Sequence, residues 1–172
     1  MPAIPRPVEG EYNPYYRSYI EQVNGDDALM TLEVQLSDTP RFIERFPLEK
    51  ANYRYAENKW TPKEIFLHLL DAERVFAYRA LRIARGDETP MPGFDQDQYV
   101  PESNAAKRSL ESIAEEYIAV RNATLQLLRY LNADQLLRKG VANNSPVSVR
   151  ALAYIIAGHE NHHLGVIRER YL

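Results

Sequence analysis

The stretch Leu152-Ala153-Tyr154-Ile155-Ile156-Ala157-Gly158-His159-Glu160-Asn161-His162-His163-Leu164-Gly165-Val166-Ile167 decides how this chain is read. Leu152, Ile155, Ile156, His159, His163, Val166 and Ile167 recur every three or four residues, which is the spacing of one helix face. Ser148 stands where a cap belongs. His159 and His163 lie one turn apart on the apolar stripe, where leucine or isoleucine is expected. His162 falls on its flank, at the edge of any site or on the surface. An imidazole aimed at a core needs a partner, because a buried polar group left unpaired costs about 1–3 kcal/mol.

The chain has four histidines, and the last of them is His68. It sits in the best-marked helix of the sequence. Thr61, Pro62 and Glu64 form a capping box with proline at the first position, and Gly86 ends the helix. There Ile65, His68, Leu69, Ala72, Val75 and Phe76 make a second stripe with His68 inside it. Two more amphipathic segments complete a set of four. One is capped by Asp26 or Asp27 and carries Leu29, Leu32, Leu36, Ile43 and Phe46, with Pro40 kinking or restarting it. The other is capped by Ser103 or Asn104 and runs to about Leu131. Asp134 to Leu137 adds a turn, Lys139 to Pro146 reads as a turn, and no strand-like alternation persists anywhere.

The fold expected is all-α: an up-and-down four-helix bundle over residues 26–172, preceded by an extended Tyr/Pro-rich N-terminal arm over residues 1–25, in which residues 1–13 are extended and a short helix runs from about Pro14 to Val23. Tyr12, Tyr15, Tyr16 and Tyr19 of that arm are expected to pack on the domain or on a second subunit. Residues 87–102, rich in proline and acids, have the length of a functional lid.

Composition narrows the function. Of 172 residues 45% are hydrophobic and 26% charged, ordinary for a soluble domain. A net charge of −3 argues against a nucleic-acid surface, which needs clustered cations to displace counterions. With no cysteine, disulfides, thiolate metal sites and a cysteine nucleophile are excluded. No signal-like apolar run and no membrane span is evident, so the expectation is a cytoplasmic protein without membrane association.

What remains is metal chemistry. Two helices can present His68, His159 and His163 to a common point, and neutral imidazole suits zinc, nickel, copper or iron. Three protein nitrogens leave a coordination position for water or substrate, the pattern of a catalytic site. Ligating histidines usually donate their second nitrogen to a carboxylate or carbonyl. Glu64, Asp71 and Glu160 are the candidates, and Asp71 is preferred because it shares a face with His68. Glu73 and Glu160 could equally pair with Arg74 or Arg168. His159-Glu160-Asn161-His162-His163 also matches H-E-x-x-H, which leaves Glu160 open as an acid/base group. The protease reading of that motif is disfavoured: no strand is evident to hold a peptide, and no third ligand follows.

Trp60-Thr61-Pro62-Lys63-Glu64 through His68, Asp71 and Glu73, the loop Pro92-Gly93-Phe94-Asp95, and Ala157-Gly158-His159-Glu160-Asn161-His162-His163-Leu164 together resemble the DinB-like superfamily, the YfiT / bacillithiol S-transferase-like group of metal-binding four-helix bundles. The resemblance covers about residues 26–172. It implies a metal triad at His68, His159 and His163, nickel or zinc as the divalent metal, a homodimer, and in some relatives a low-molecular-weight thiol as cofactor. The expected function is an enzyme activating a thiol or water at the metal, S-transferase-like or hydrolase-like, on a small-molecule substrate. Asp71 or Glu160 would assist. The alternative is a non-catalytic, metal-stabilised bundle that binds a ligand or partner.

Overall fold

The computed structural model describes residues 3–172; Met1 and Pro2, at the head of the expected arm, lie outside them. The helices begin where the sequence supplies caps. A 3-10 turn at Pro14–Tyr16, capped by Asn13, runs into the short α1 (Arg17–Glu21). Asp27 accepts from the Leu29 amide to open α2 (Ala28–Glu44). Pro40 is absorbed within α2 without ending it. The Thr61–Glu64 capping box opens α3 (Pro62–Ala84), and Gly86, at φ +82°, supplies the left-handed turn that stops it.

The expected cap at Ser103 or Asn104 is corrected by the structure. Those residues follow a short α4 (Gln96–Glu102), whose cap is Asp95. A 3-10 turn intervenes, and the long helix α5 (Leu110–Arg129) starts at Ser109. After α6 (Ala133–Leu137), the segment read as a plain turn is a hairpin: β1 (Lys139–Ala142) pairs antiparallel with β2 (Ser145–Ser148). Asn143 and Asn144, at φ +49° and +59°, supply the two left-handed residues of a tight hairpin turn. Ser148 then caps α7 (Val149–Arg170).

The architecture is the all-α four-helix bundle expected, built from α2, α3, α5 and α7, although its connections depart from the simple up-and-down order. Around the ring α2 packs beside α5 and α7, and α3 beside the same two helices. One end of the core joins Leu29 and Leu32 of α2, Ile83 of α3, Leu125 and Leu128 of α5, and Leu152 and Ile155 of α7. The other joins Ile43, Ile65, Ile113 and Ile167. Hence α2 and α7 run one way, while α3 and α5 run the other. The long connection over 85–109, which includes α4, carries the chain back along the roughly 35 Å of α3 so that the next long helix starts from the same end.

Polar residues occupy the waist between the two apolar ends. Arg121 of α5 is fully buried and donates Nε and one Nη to the two oxygens of Glu73, both at 2.9 Å. It also reaches Glu160 at 2.6 Å and Gln35 at 3.0 Å, so one guanidinium ties all four long helices together.

The N-terminal segment lies along α7. Gly158 permits this: a Cβ there would come within 1.9 Å of the Tyr19 carbonyl oxygen. Glu11 fastens the segment further on, accepting from Ser148 Oγ at 2.8 Å and Arg150 Nε at 2.7 Å. No helix is long and apolar enough to cross a membrane among the described residues.

Candidate metal centre

His68 is delivered by the second turn of α3, and His159 and His163 by successive turns of α7, which packs antiparallel to it. Their imidazoles converge. His68 Nε2 stands 3.0 Å from His159 Nε2, and His163 Nε2 3.1 Å from the same atom. One nitrogen from each ring lies within 4.8 Å of the others. A ring nitrogen carries either one proton or one lone pair, so a single Nε2 cannot satisfy two such neighbours by ordinary hydrogen bonds. Three nitrogens each about 2.0–2.1 Å from a tetrahedral cation would stand about 3.3 Å apart. The observed spacings come close to that, and the donor set fits a divalent ion of the zinc or nickel type.

Electrostatics favour neutral, ligand-ready rings. Burial pushes the His68 imidazole down to about 4. Burial, with His68 and His162 adding to it, takes His163 down to about 3. His159 is held well below its ordinary value, first by burial and then by the other three histidines.

Aromatic rings wall the centre. Trp60, just before the α3 cap, lies with its ring centre 4.7 Å from that of His68 and is stacked at 6.4 Å on His163. Tyr19 meets His159 edge-on at 5.4 Å. His162 sits on the flank as expected, half-buried against Tyr19, with Gln22 Nε2 at 3.4 Å.

The two carboxylates expected to assist are placed elsewhere. Asp71 makes no hydrogen bond to His68; it lies 3.7 Å from Arg74 at the bundle rim, where burial raises its pKa against the pull of Arg74. Glu160 is buried, but its oxygens accept from Thr39 at 2.6 Å, Tyr117 at 2.8 Å and Arg121 at 2.6 Å. A carboxylate so occupied serves the waist of the bundle and has no bond to the triad. The partner expected for Glu73 and Glu160 is likewise corrected: it is Arg121, while Arg74 pairs with Glu116 and Arg168 lies over Phe42. Glu64 closes the α3 capping box and pairs with Arg54.

A cavity of about 400 Å³ opens onto His68 and His159. Tyr16 and Tyr19 of the N-terminal segment form one wall; Gly93, Phe94 and Asp97 of the acidic connection form another. A smaller recess of about 230 Å³ reaches His163 from the far side of Trp60, and Asp97 borders both. Sequence reasoning missed Arg79, which lines the larger cavity. The signal was available, since His68, Ala72, Phe76 and Arg79 follow one helical stripe and a charge on that stripe is as anomalous as an imidazole.

Comparison with known proteins settles the family. A profile described as the DinB superfamily matches residues 31–167, most of the bundle. The chain belongs to the DinB superfamily. A relative from Oceanobacillus iheyensis, named as a candidate metal-dependent hydrolase, is 27% identical to this DinB-superfamily chain over 129 residues, covering 70% of this chain and 69% of the relative. Among solved structures, YfiT from Bacillus subtilis superposes with a TM-score of 0.70 at 16% identity, covering 95% of this chain and 89% of YfiT. It is described as a candidate metal-dependent hydrolase with an unusual four-helix bundle topology. The DinB-like protein YjoA from the same organism gives 0.58 at 20% identity, covering 83% and 87%. These two structures share the fold of this DinB-superfamily member.

Proposed function

We propose that this protein is a metal-dependent enzyme in which His68, His159 and His163 hold one divalent cation, nickel or zinc, beside a small-molecule substrate in the larger cavity. The observation that carries the reading is the meeting of three Nε2 atoms, from two buried imidazoles and one half-buried one, at one point. The names of the Oceanobacillus relative and of YfiT point the same way. A bound divalent cation lowers the pKa of a water or thiol sharing it and so supplies an anionic nucleophile at neutral pH. The chain's own part is to hold the three rings in one orientation, and to exclude bulk water with Trp60 and Tyr19. Asp97 borders both recesses, and in this reading a thiol and an electrophile approach the triad from the two of them. The nucleophile is a thiol in the transferase form of this reading and water in the hydrolase form.

Elemental analysis of untagged protein tests the site. The expected result is about one nickel or zinc per chain, lost in His159→Ala and His163→Ala while helicity is retained. Wild type with no metal, or variants that keep it, would refute the site. Turnover separates the enzyme from a metal-stabilised binding module. With metal, a low-molecular-weight thiol and a chlorinated aromatic electrophile, or with an activated ester alone, wild type should exceed His163→Ala. Equal rates in every assay would favour the binding module.

A further inference from the structure

Arg79 of α3 is 4% exposed, yet no carboxylate lies within ion-pair distance of it among the described residues. One Nη donates to the Pro92 carbonyl at 2.7 Å. Its guanidinium lies beside a pair of touching rings, 5.8 Å from the centre of Phe76 and 5.9 Å from that of Phe94. Beyond Pro92 and the neighbouring Tyr16 hydroxyl it has no acceptor among the described residues, and it lines the cavity that opens on His68 and His159. The acids nearby do not pair with it: Asp95 caps α4 and accepts from Gln98, and Asp97 forms no ion pair among the described residues.

A buried cation without a counter-charge is costly, and the other buried arginine of this bundle, Arg121, has two carboxylates. We infer that the cavity takes a substrate bearing a carboxylate or similar oxyanion, which Arg79 anchors while the reacting end of the molecule faces the histidines. Phe76 links the two ends, its ring centre lying 6.1 Å from that of His159. The cavity thus brings a fork-shaped donor, the rings of Phe76 and Phe94 and the imidazoles of His68 and His159 around one space. A planar guanidinium suits a carboxylate because it can donate two parallel hydrogen bonds. Burial also pushes the Arg79 pKa down, as expected for a cation still lacking its anion.

This inference rests on the cavity assigned above to the substrate, but its test does not need the metal. Benzoate and benzamide have nearly the same shape and differ in charge. Their binding is measured by calorimetry or saturation-transfer NMR on wild-type, Arg79→Gln and Arg79→Lys protein, each metal-free and zinc-loaded, with metal content assayed in parallel. The expected result is that metal-free wild type prefers benzoate at least tenfold, that Arg79→Gln abolishes the preference, and that Arg79→Lys keeps part of it. Equal binding of the two ligands by wild type would overturn the inference, and this needs no variant to fold. So would a preference unchanged in a folded Arg79→Gln, or one that exists only with zinc, since the carboxylate would then be reading the ion. An Arg79-dependent preference in a protein that takes up no metal would sustain the anion site and sink the metal reading alone.

Discussion

At the scale of single residues, the three histidines are positioned at a cost that pH exposes. In the unfolded chain each titrates near 6.5, whereas in the fold His68 is pushed down to about 4 and His163 to about 3. Between those values the unfolded state binds more protons, so the stability of metal-free protein rises with pH across that window and is lost as pH falls through it. The effect expected from His68 alone is on the order of 3 kcal/mol. Urea unfolding of metal-free protein at pH 7 and pH 4.5 checks this, and His68→Leu should flatten the dependence. The triad was legible in the sequence because imidazoles interrupted apolar stripes on two helices. The destination of Glu160 was not, because its partner is fixed by which helix lies opposite, and Arg121 comes from an element whose start was misplaced; Asp71 lies by Arg74 three residues on in its own helix, a spacing the sequence did offer. Arg79 was legible and overlooked, its stripe position outweighed by the usual exposure of arginine.

At the scale of elements, the approach of α1 to α7 depends on one missing methyl group. Gly158→Ala would bring a Cβ against the Tyr19 backbone, where no side-chain rotation relieves it. The expected cost is about 1–3 kcal/mol, with α1 displaced and Tyr19 drawn away from His159. Thermal melting and limited proteolysis within residues 17–25 measure it. At the other entry to the site Thr61→Ala removes the α3 cap and should cost about 1 kcal/mol. Helix caps and stripes carry period information, so α2, α3 and α7 could be read from sequence. The hairpin could not: each of its strands is too short to show alternation, and its turn uses two asparagines where asparagine-glycine is the stronger signal. The start of α5 was misread because α4 and the following turn offer competing polar caps at Ser103 and Asn104.

At the scale of the molecule, the four long helices are held at the waist by a single guanidinium. Replacing Arg121 by methionine strands two buried carboxylates, and the expected loss is about 3–5 kcal/mol. Adding Glu73→Leu and Glu160→Leu should restore much of it, because the stranded charges go as well; denaturant midpoints of the wild type and the two variants decide. That the chain forms a bundle was legible from four amphipathic segments, but their order around the ring was not, since periodicity marks a face without naming its partner. The ring order has a kinetic consequence. No two successive long helices form an antiparallel hairpin, and Gln35 finds its acceptor, Ala157, across 122 positions of chain. Local zippering therefore cannot nucleate this protein as it does simpler bundles, and refolding should be slow for an all-helical domain of its size. A nascent chain ending after α5 would lack the helix that closes both apolar ends, and the ligand pocket would come into being only in the last cooperative step.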